Sequence, residues 1–309
     1  MMIDIKNFDS WREYNGFSEG SGRSEKVWLI SDNNTIGLFK FPKVDPSVDE
    51  PTTEHVSEHI AHRLGNILNI PTAKVDIGTR DGRIGCISYL AREEDETLIE
   101  GITFISGIYP AYDEETLYDA STETYYCLDS IIKSVPGVVP VRVWIEMMVF
   151  DFLIGNSDRH HSNWALLAKM SSEDFSIQVR RCPLYDNGSS LCCYVTEKQI
   201  SKYETKDVKP FEALTDSKSV SMIRIDGKNK NRPRHSDVMR YLLNTYPATE
   251  VIIKRVIERL NDNVIDELLG IYQNEILSER KKDLITKYIK RKVRILKTLI
   301  EEGVTKTDE

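Results

Sequence analysis

The pattern of apolar and polar positions through the first ninety residues reads as short β-prone runs and one helix. Lys26 to Ile30 and Thr35 to Phe41 are two such runs, parted by Ser31-Asp32-Asn33-Asn34, which suits a hairpin turn. Val56, Ile60, Leu64 and Ile67 then recur at helical spacing. They predict a helix that Thr52 or Thr53 caps, that runs to about Asn66, and that Ile70-Pro71 stops. A second hairpin is predicted from Ala73 to Ile77 and Ile84 to Leu90, turning at Arg80-Asp81-Gly82-Arg83.

The pattern changes after Ala91. An acidic, loop-rich stretch, Arg92 to Glu96, leads into mainly helical spacing. Val141 to Ile154 is apolar almost all round, which predicts a helix buried in a core. Trp164 to Leu167 and Phe175 to Val179 read as a short hairpin. Later helices are predicted over Val238 to Asn244, Glu250 to Asn261 and Lys282 to Glu301. In the last, Ile285, Ile289, Val293, Leu296 and Ile300 form an apolar stripe, while Lys287, Lys290, Arg291, Arg294 and Lys297 ride mostly outside it and read as solvated surface. The expected fold class is α+β, with a small β-rich lobe over 1–91 and a larger helical lobe over 92–309.

Composition narrows the classes. The 309 residues are 40% hydrophobic and 29% charged, with a net charge of -8. That balance gives no general attraction to nucleic acid or to anionic membranes. The N-terminus shows neither the basic nor the apolar region of a signal peptide. The most apolar stretch, Val141 to Gly155, is too short and too charged for stable membrane insertion. Five cysteines without ligand-like spacing argue against a disulfide framework or a zinc site and point to a cytoplasmic location.

Candidate chemistry concentrates in Gly155-Asn156-Ser157-Asp158-Arg159-His160-His161-Ser162-Asn163 and in Tyr185-Asp186-Asn187-Gly188. Phosphoryl transfer needs a carboxylate to orient and deprotonate the attacking hydroxyl, oxygen ligands for Mg2+, and cations on the phosphates of ATP. Asp158 suits the base, Asn163 and Asp186 suit the metal, and Gly188 is expected to allow a sharp turn behind Asp186. Adjacent histidines rarely converge on one ion, so His160 is expected to be structural and hydrogen-bonded. Upstream, Lys40 ends an apolar strand. It is either an edge residue reaching solvent or the cation on the nucleotide phosphates, and the downstream loop favours the second reading. Glu58 on the following helix is its expected ion-pair partner, with Glu54, one turn earlier, as competitor. The glycine-bearing segment from Gly16 to Lys26 lies where a phosphate-covering loop belongs, although its spacing is not Walker-like.

These pieces together resemble the bacterial HipA-like serine/threonine kinases, most closely the compact, CtkA-type members. The resemblance is specific at G-N-S-D-R-H-H-S-N-W and Y-D-N-G, moderate at L-F-K-F-P and around Ser57-Glu58-His59, and loose in the glycine loop. It implies a two-lobed, protein-kinase-like fold and an ATP- and magnesium-dependent kinase that phosphorylates protein serine or threonine. Asp158 would be catalytic, Lys40 and Glu58 the nucleotide-positioning pair, and Asn163 and Asp186 the metal ligands. Gly20, Ser21 and Gly22 would meet the ATP phosphates. Family members often phosphorylate a serine of their own loop. Here that position falls at Glu19, which leaves Ser18, Ser21 and Ser24 as candidates. The chain begins too near the loop to carry the N-terminal subdomain of longer HipA proteins, which argues against an antitoxin partner. A phosphoinositide-like or small-molecule kinase uses a similar loop, and a nucleotide-binding pseudokinase is the non-enzymatic rival. The segment from Ser189 to Arg234 carries Arg224, Lys228, Lys230, Arg232 and Arg234, whose charges could meet an acidic substrate, a phosphorylated residue or only water.

Overall fold

The computed structural model describes residues 2–16, 25–45 and 50–304. In chain order the elements begin with β1 (Lys6–Asn7), β2 (Arg12–Glu13), β3 (Lys26–Ile30), β4 (Ile36–Lys40), β5 (Val44–Asp45), β6 (Glu50–Pro51), α1 (Glu54–Leu68), β7 (Val75–Arg80) and β8 (Arg83–Tyr89). Then come β9 (Thr97–Glu100), α2 (Gly101–Ile108), β10 (Tyr112–Asp113), β11 (Tyr118–Asp119), β12 (Thr124–Tyr125), α3 (Leu128–Ser134), α4 (Val141–Ile154), β13 (Ala165–Met170) and β14 (Ile177–Arg181). Helices complete the chain: α5 (Glu197–Ile200), α6 (Lys209–Thr215), α7 (His235–Thr245), α8 (Ala248–Arg259), α9 (Asp262–Gly270) and α10 (Glu279–Val304).

Two compact units result. One gathers Met1–Ala91, Tyr185–Pro210 and Asn261–Ile289; the other gathers Arg92–Leu184, Phe211–Leu260 and Lys290–Glu309. The break after Ala91 coincides with the change of pattern in the sequence, but later segments return to the first unit. One reason is packing on α1: α9 lies against it, and the Tyr272 hydroxyl sits 2.8 Å from His59 Nδ1.

The first unit is built on a six-stranded sheet in the order β1-β7-β8-β4-β3-β2, antiparallel except where β1 pairs with β7. Asn34 (φ 62°) turns the first predicted hairpin, and Asp81 and Gly82 (φ 51° and 70°) turn the second. Asn69 closes α1 in the left-handed conformation just before Pro71. Phe8, Leu29, Phe39, Phe41 and Ile87 form a core cluster. At about 1.5–3 kcal/mol per fully buried large side chain, such a cluster holds β3, β4 and β8 in register. Because side chains alternate along a strand, burying Phe39 sends Lys40 to the opposite face.

In the second unit α4 is buried from Trp144 to Ile154 and packs on α3, α7 and α8, as its all-round apolarity requires. β9, β13 and β14 form a three-stranded antiparallel sheet. The hairpin strands sit slightly later than the pattern suggested, because Phe175 (φ 58°) lies in the turn. The stretch expected to be mainly helical also holds the meander β10-β11-β12. Its two-residue strands are too short to show a period. They are held by Asp119, fully buried, which accepts hydrogen bonds from Ala111 N, Ser121 Oγ, Thr122 N and Thr122 Oγ1. Among the described residues no helix is long and apolar enough to cross a membrane.

Candidate functional site

In the first unit the sheet and α1 bring three sequence-predicted residues together. Lys40 Nζ donates to Glu58 Oε1 at 2.9 Å and to Asp186 Oδ1 at 2.6 Å. The Glu58 side chain is 2% exposed, Lys40 18% and Asp186 45%, so the charges grade from buried to open. Burial opposes the lysine charge, but Asp186 and Glu58 outweigh it and raise the Lys40 pKa. Glu54 is not the partner: it accepts from Lys43 Nζ at 3.0 Å and from the Tyr194 hydroxyl at 2.9 Å.

Glu58 has a second task. Its Oε2 accepts the Asn187 backbone N–H at 2.9 Å, while Ser190 Oγ donates to Asn187 O and Ser57 Oγ donates to Ser190 O. The Asp186 turn is therefore tied to α1 at several points. The left-handed residue in it is Asp186 itself (φ 53°), not Gly188, which corrects the expectation of a sharp turn at the glycine. Gly188 instead lies against α1, where an added Cβ would come 3.4 Å from Glu54 Cβ, ordinary contact. Downstream, Lys281 is 2% exposed, and its ammonium donates to the carbonyls of Cys192 (2.7 Å) and Val195.

In the second unit the loop after α4 is organised by a buried ion pair. Gly155 (φ 67°) ends the helix, and Asn156 N returns to Asp151 O at 2.9 Å. Arg159, 1% exposed, reaches Asp151 with Nε at 3.0 Å and Nη2 at 2.8 Å, and its Nη1 donates to Asn163 O at 2.7 Å. Burial pushes the Asp151 carboxyl pKa up, against the opposing pull of Arg159 and Asn156. Asn156 Nδ2 donates to Asp151, and its Oδ1 accepts the Asp158 backbone N–H at 3.0 Å. Asn163 Nδ2 donates to Asp158 O at 2.7 Å. Asp158 and Asn163 are thus held together, with the Asn163 amide nitrogen committed and its oxygen left to act as a donor atom for a hard cation.

His160 is half-buried, and its Nδ1 accepts from Ser162 N at 3.2 Å. The more enclosed histidine is His161, 4% exposed, with Nδ1 at 3.0 Å from the Tyr112 hydroxyl; burial lowers its pKa to about 4. Trp164 carries the loop into β13 and anchors it through Nε1 to the Tyr126 hydroxyl at 2.8 Å.

Several supporting residues escaped sequence reasoning. Lys292 and His235, 0% and 1% exposed, join Ser219 in a buried chain. Lys292 Nζ donates to Ser219 Oγ at 2.8 Å, Ser219 Oγ lies 3.0 Å from His235 Nδ1, and His235 Nε2 lies 3.1 Å from Asn156 O. A carbonyl can only accept, so Nε2 carries the proton and Nδ1 accepts from Ser219. The chain ends on the residue that holds Asp158 N–H. Asp151 could have been singled out as a carboxylate inside an apolar helix; nothing local marks His235 or Lys292. Gly20, Ser21, Gly22, Ser18 and Ser24 lie outside the described residues. Glu25, the first described residue after them, is gripped by Arg83 with Nη1 at 2.6 Å and Nη2 at 2.7 Å.

The family model described as the HipA-like C-terminal domain matches residues 18–264. The serine/threonine-protein kinase CtkA of Helicobacter pylori is 26% identical over 175 residues, 53% of this chain and 50% of that protein. The matched stretch thus spans half the length of that relative. Among solved structures, the Helicobacter pylori proinflammatory kinase CtkA superposes with a TM-score of 0.78 at 17% identity, over 96% of this chain and 98% of that one. HipA of Shewanella oneidensis, solved in a complex with HipB and operator DNA, gives 0.58 at 14% identity, over 95% and 67%. At these identities the structural likeness speaks for the fold, which is α+β and kinase-like. The chain belongs to the HipA-like C-terminal domain family and resembles its CtkA-type kinases.

Proposed function

We propose that this protein is an ATP- and magnesium-dependent serine/threonine protein kinase that also phosphorylates itself. The observation that carries the reading is Lys40 held between buried Glu58 and half-exposed Asp186. A permanently charged lysine fixed at its far end suits the phosphates of a nucleotide, and Asp186 supplies the one charged oxygen that a magnesium ion needs from this unit. Among the described residues no group of three His, Cys, Asp or Glu side chains could hold a metal. Asp186 in the first unit and Asn163 in the second each present an oxygen of the kind magnesium takes, an ion that needs few protein ligands and completes its shell with phosphate and water. Bound magnesium would neutralise phosphate charge. Asp158, fixed through Asn156 and Asn163, would orient the acceptor hydroxyl and take its proton as the oxygen attacks. Five free cysteines suit a reducing cytoplasm as its place of action.

The test is transfer of labelled γ-phosphate from ATP to the protein itself, to a generic protein acceptor and to phosphoinositide vesicles, followed by phosphoamino acid analysis. Label on serine or threonine supports the reading. Label on lipid alone supports the phosphoinositide rival, and nucleotide binding without transfer supports the pseudokinase.

A further inference from the structure

The segment from Arg224 to Arg234 carries five cations, and they are not alike. Arg234 is neutralised, with Nε 2.8 Å from Asp237 and Nη1 3.6 Å from Asp216. The others make no carboxylate ion pair among the described residues. Arg224 is 6% exposed, donates from Nε and Nη2 to Lys230 O at 3.1 and 3.0 Å, and lays its guanidinium over the Tyr125 ring at 4.8 Å. Its Nη1 is buried without a hydrogen-bond partner. Arg232 donates from Nε to Ser221 O at 3.2 Å and from Nη2 to Ser157 O, the carbonyl directly before Asp158. Lys228 donates to Thr122 O and Glu123 O, and Lys230 is exposed.

Buried charges are ordinarily paired, so a guanidinium at 6% exposure bonded only to carbonyls is an anomaly that asks for an anion. Carbonyl bonds also fix both forks in place, so a ligand need not bear the cost of ordering them. The segment itself is stitched down: Arg224 N donates to Tyr126 O, Leu128 N to Arg224 O, and Tyr125 N to Gly227 O. Burial lowers the pKa of both arginines; Asp158 opposes this at Arg232, and Arg224 adds to it. Two carboxylates act on the segment, Asp158 on Arg232 and Asp226 through the Lys228 backbone N–H, against four cations that make no carboxylate ion pair among the described residues.

We propose that Arg232, reinforced by Arg224 and flanked by Lys228 and Lys230, forms an acceptor-side anion site that selects a serine or threonine in an acidic peptide segment. The reasoning rests on the kinase reading for the role of Asp158. A guanidinium fixed to the Ser157 carbonyl stands about one residue from the base. Neighbouring residues of an extended peptide are 3.8 Å apart at Cα, so the anion it meets belongs one or two positions from the acceptor hydroxyl. A carboxylate and a phosphate both fit a bidentate fork.

The experiment uses the full chain without nucleotide and labelled peptides in which alanine replaces the acceptor. One peptide has glutamates beside that alanine, one a phosphoserine, one neutral residues and one lysines. Binding is read by fluorescence anisotropy at low and high salt. The glutamate and phosphoserine peptides are expected to bind about tenfold or more tighter than the neutral one, an advantage that fades as salt screens the charges. The stronger of the two names the source of the anion. Arg232→Gln should remove most of the preference. The exposed pair Lys228→Gln/Lys230→Gln, whose side chains reach only carbonyls or solvent, should reduce it without threatening the fold. Equal binding of all four peptides by the parent overturns the proposal, as does an Arg232→Gln protein that keeps its preference. Peptide binding is read without ATP and phosphate transfer in the separate assay with it, so absent transfer with the acidic preference intact marks failure of the kinase reading alone.

Discussion

Replacing Asp151 by asparagine keeps the volume of the side chain and removes the charge beneath Arg159. That guanidinium is 1% exposed and loses a carboxylate that accepts from both Nε and Nη2. Breaking a buried, hydrogen-bonded ion pair from one side costs about 3–5 kcal/mol, because the remaining charge is stranded out of water. For a unit of this size each kcal/mol shifts the melting temperature by about 2–4 °C, so the expected loss is on the order of 10 °C. Urea unfolding followed by tryptophan fluorescence suits the measurement, since Trp144 and Trp164 are buried in the same unit as the pair. A second variant separates stability from catalysis. Asp151→Leu with Arg159→Met removes both charges and should recover much of the lost stability. It should nevertheless stay inactive, because Arg159 Nη1 no longer holds the Asn163 carbonyl. An Asp151→Asn protein within about 1 kcal/mol of the parent would refute the argument, as would a double variant no more stable than the single one.

Asp186→Ala should weaken Mg-ATP binding in calorimetry while changing magnesium-free ATP binding less; equal affinities would exclude Asp186 as the ligand. Incubation with Mg-ATP and peptide mass spectrometry should place phosphate on Ser18, Ser21 or Ser24 with a loss of activity, since about two added negative charges compete with ATP phosphates; phosphate found only elsewhere would contradict this. Burial lowers the pKa of His55, His59 and His161 to about 4 each, so these rings stay neutral when folded but protonate near 6.5 when unfolded. Stability should be full above about pH 7 and fall as pH drops from about 6.5 to 4, by up to about 1.4 kcal/mol per pH unit per histidine, with His59→Gln reducing the slope; a flat urea-midpoint profile would count against buried neutral rings.

Much of this architecture is written locally. Both hairpins of the first sheet, the α1 helix and the limits of α4 follow from period and turn residues, because each is decided by neighbours a few positions away. Lys40 and Glu58 were legible as a pair, and the structure brings them within hydrogen-bond reach; that Lys40 also meets Asp186 was not. What escaped the sequence is non-local or very short. β9 is a four-residue strand that exists because β13, more than sixty positions later, pairs with it. His235 and Lys292 look like an ordinary helix start and one more lysine of a basic helix, and only burial makes them supports for Asn156. Gly188 misled in the opposite way: a glycine suggests a positive φ, yet the ties to Glu58 and Ser57 place that conformation at Asp186.

The central claim is that Asp158 deprotonates and orients a hydroxyl acceptor. Single-turnover transfer of labelled phosphate from ATP to serine, compared between the parent and Asp158→Asn with nucleotide affinity measured alongside, tests it most directly. The account predicts transfer by the parent, a loss of about 10² or more in the variant, and nearly unchanged ATP binding. Near-normal transfer by Asp158→Asn, or a loss explained by ATP affinity alone, would contradict it.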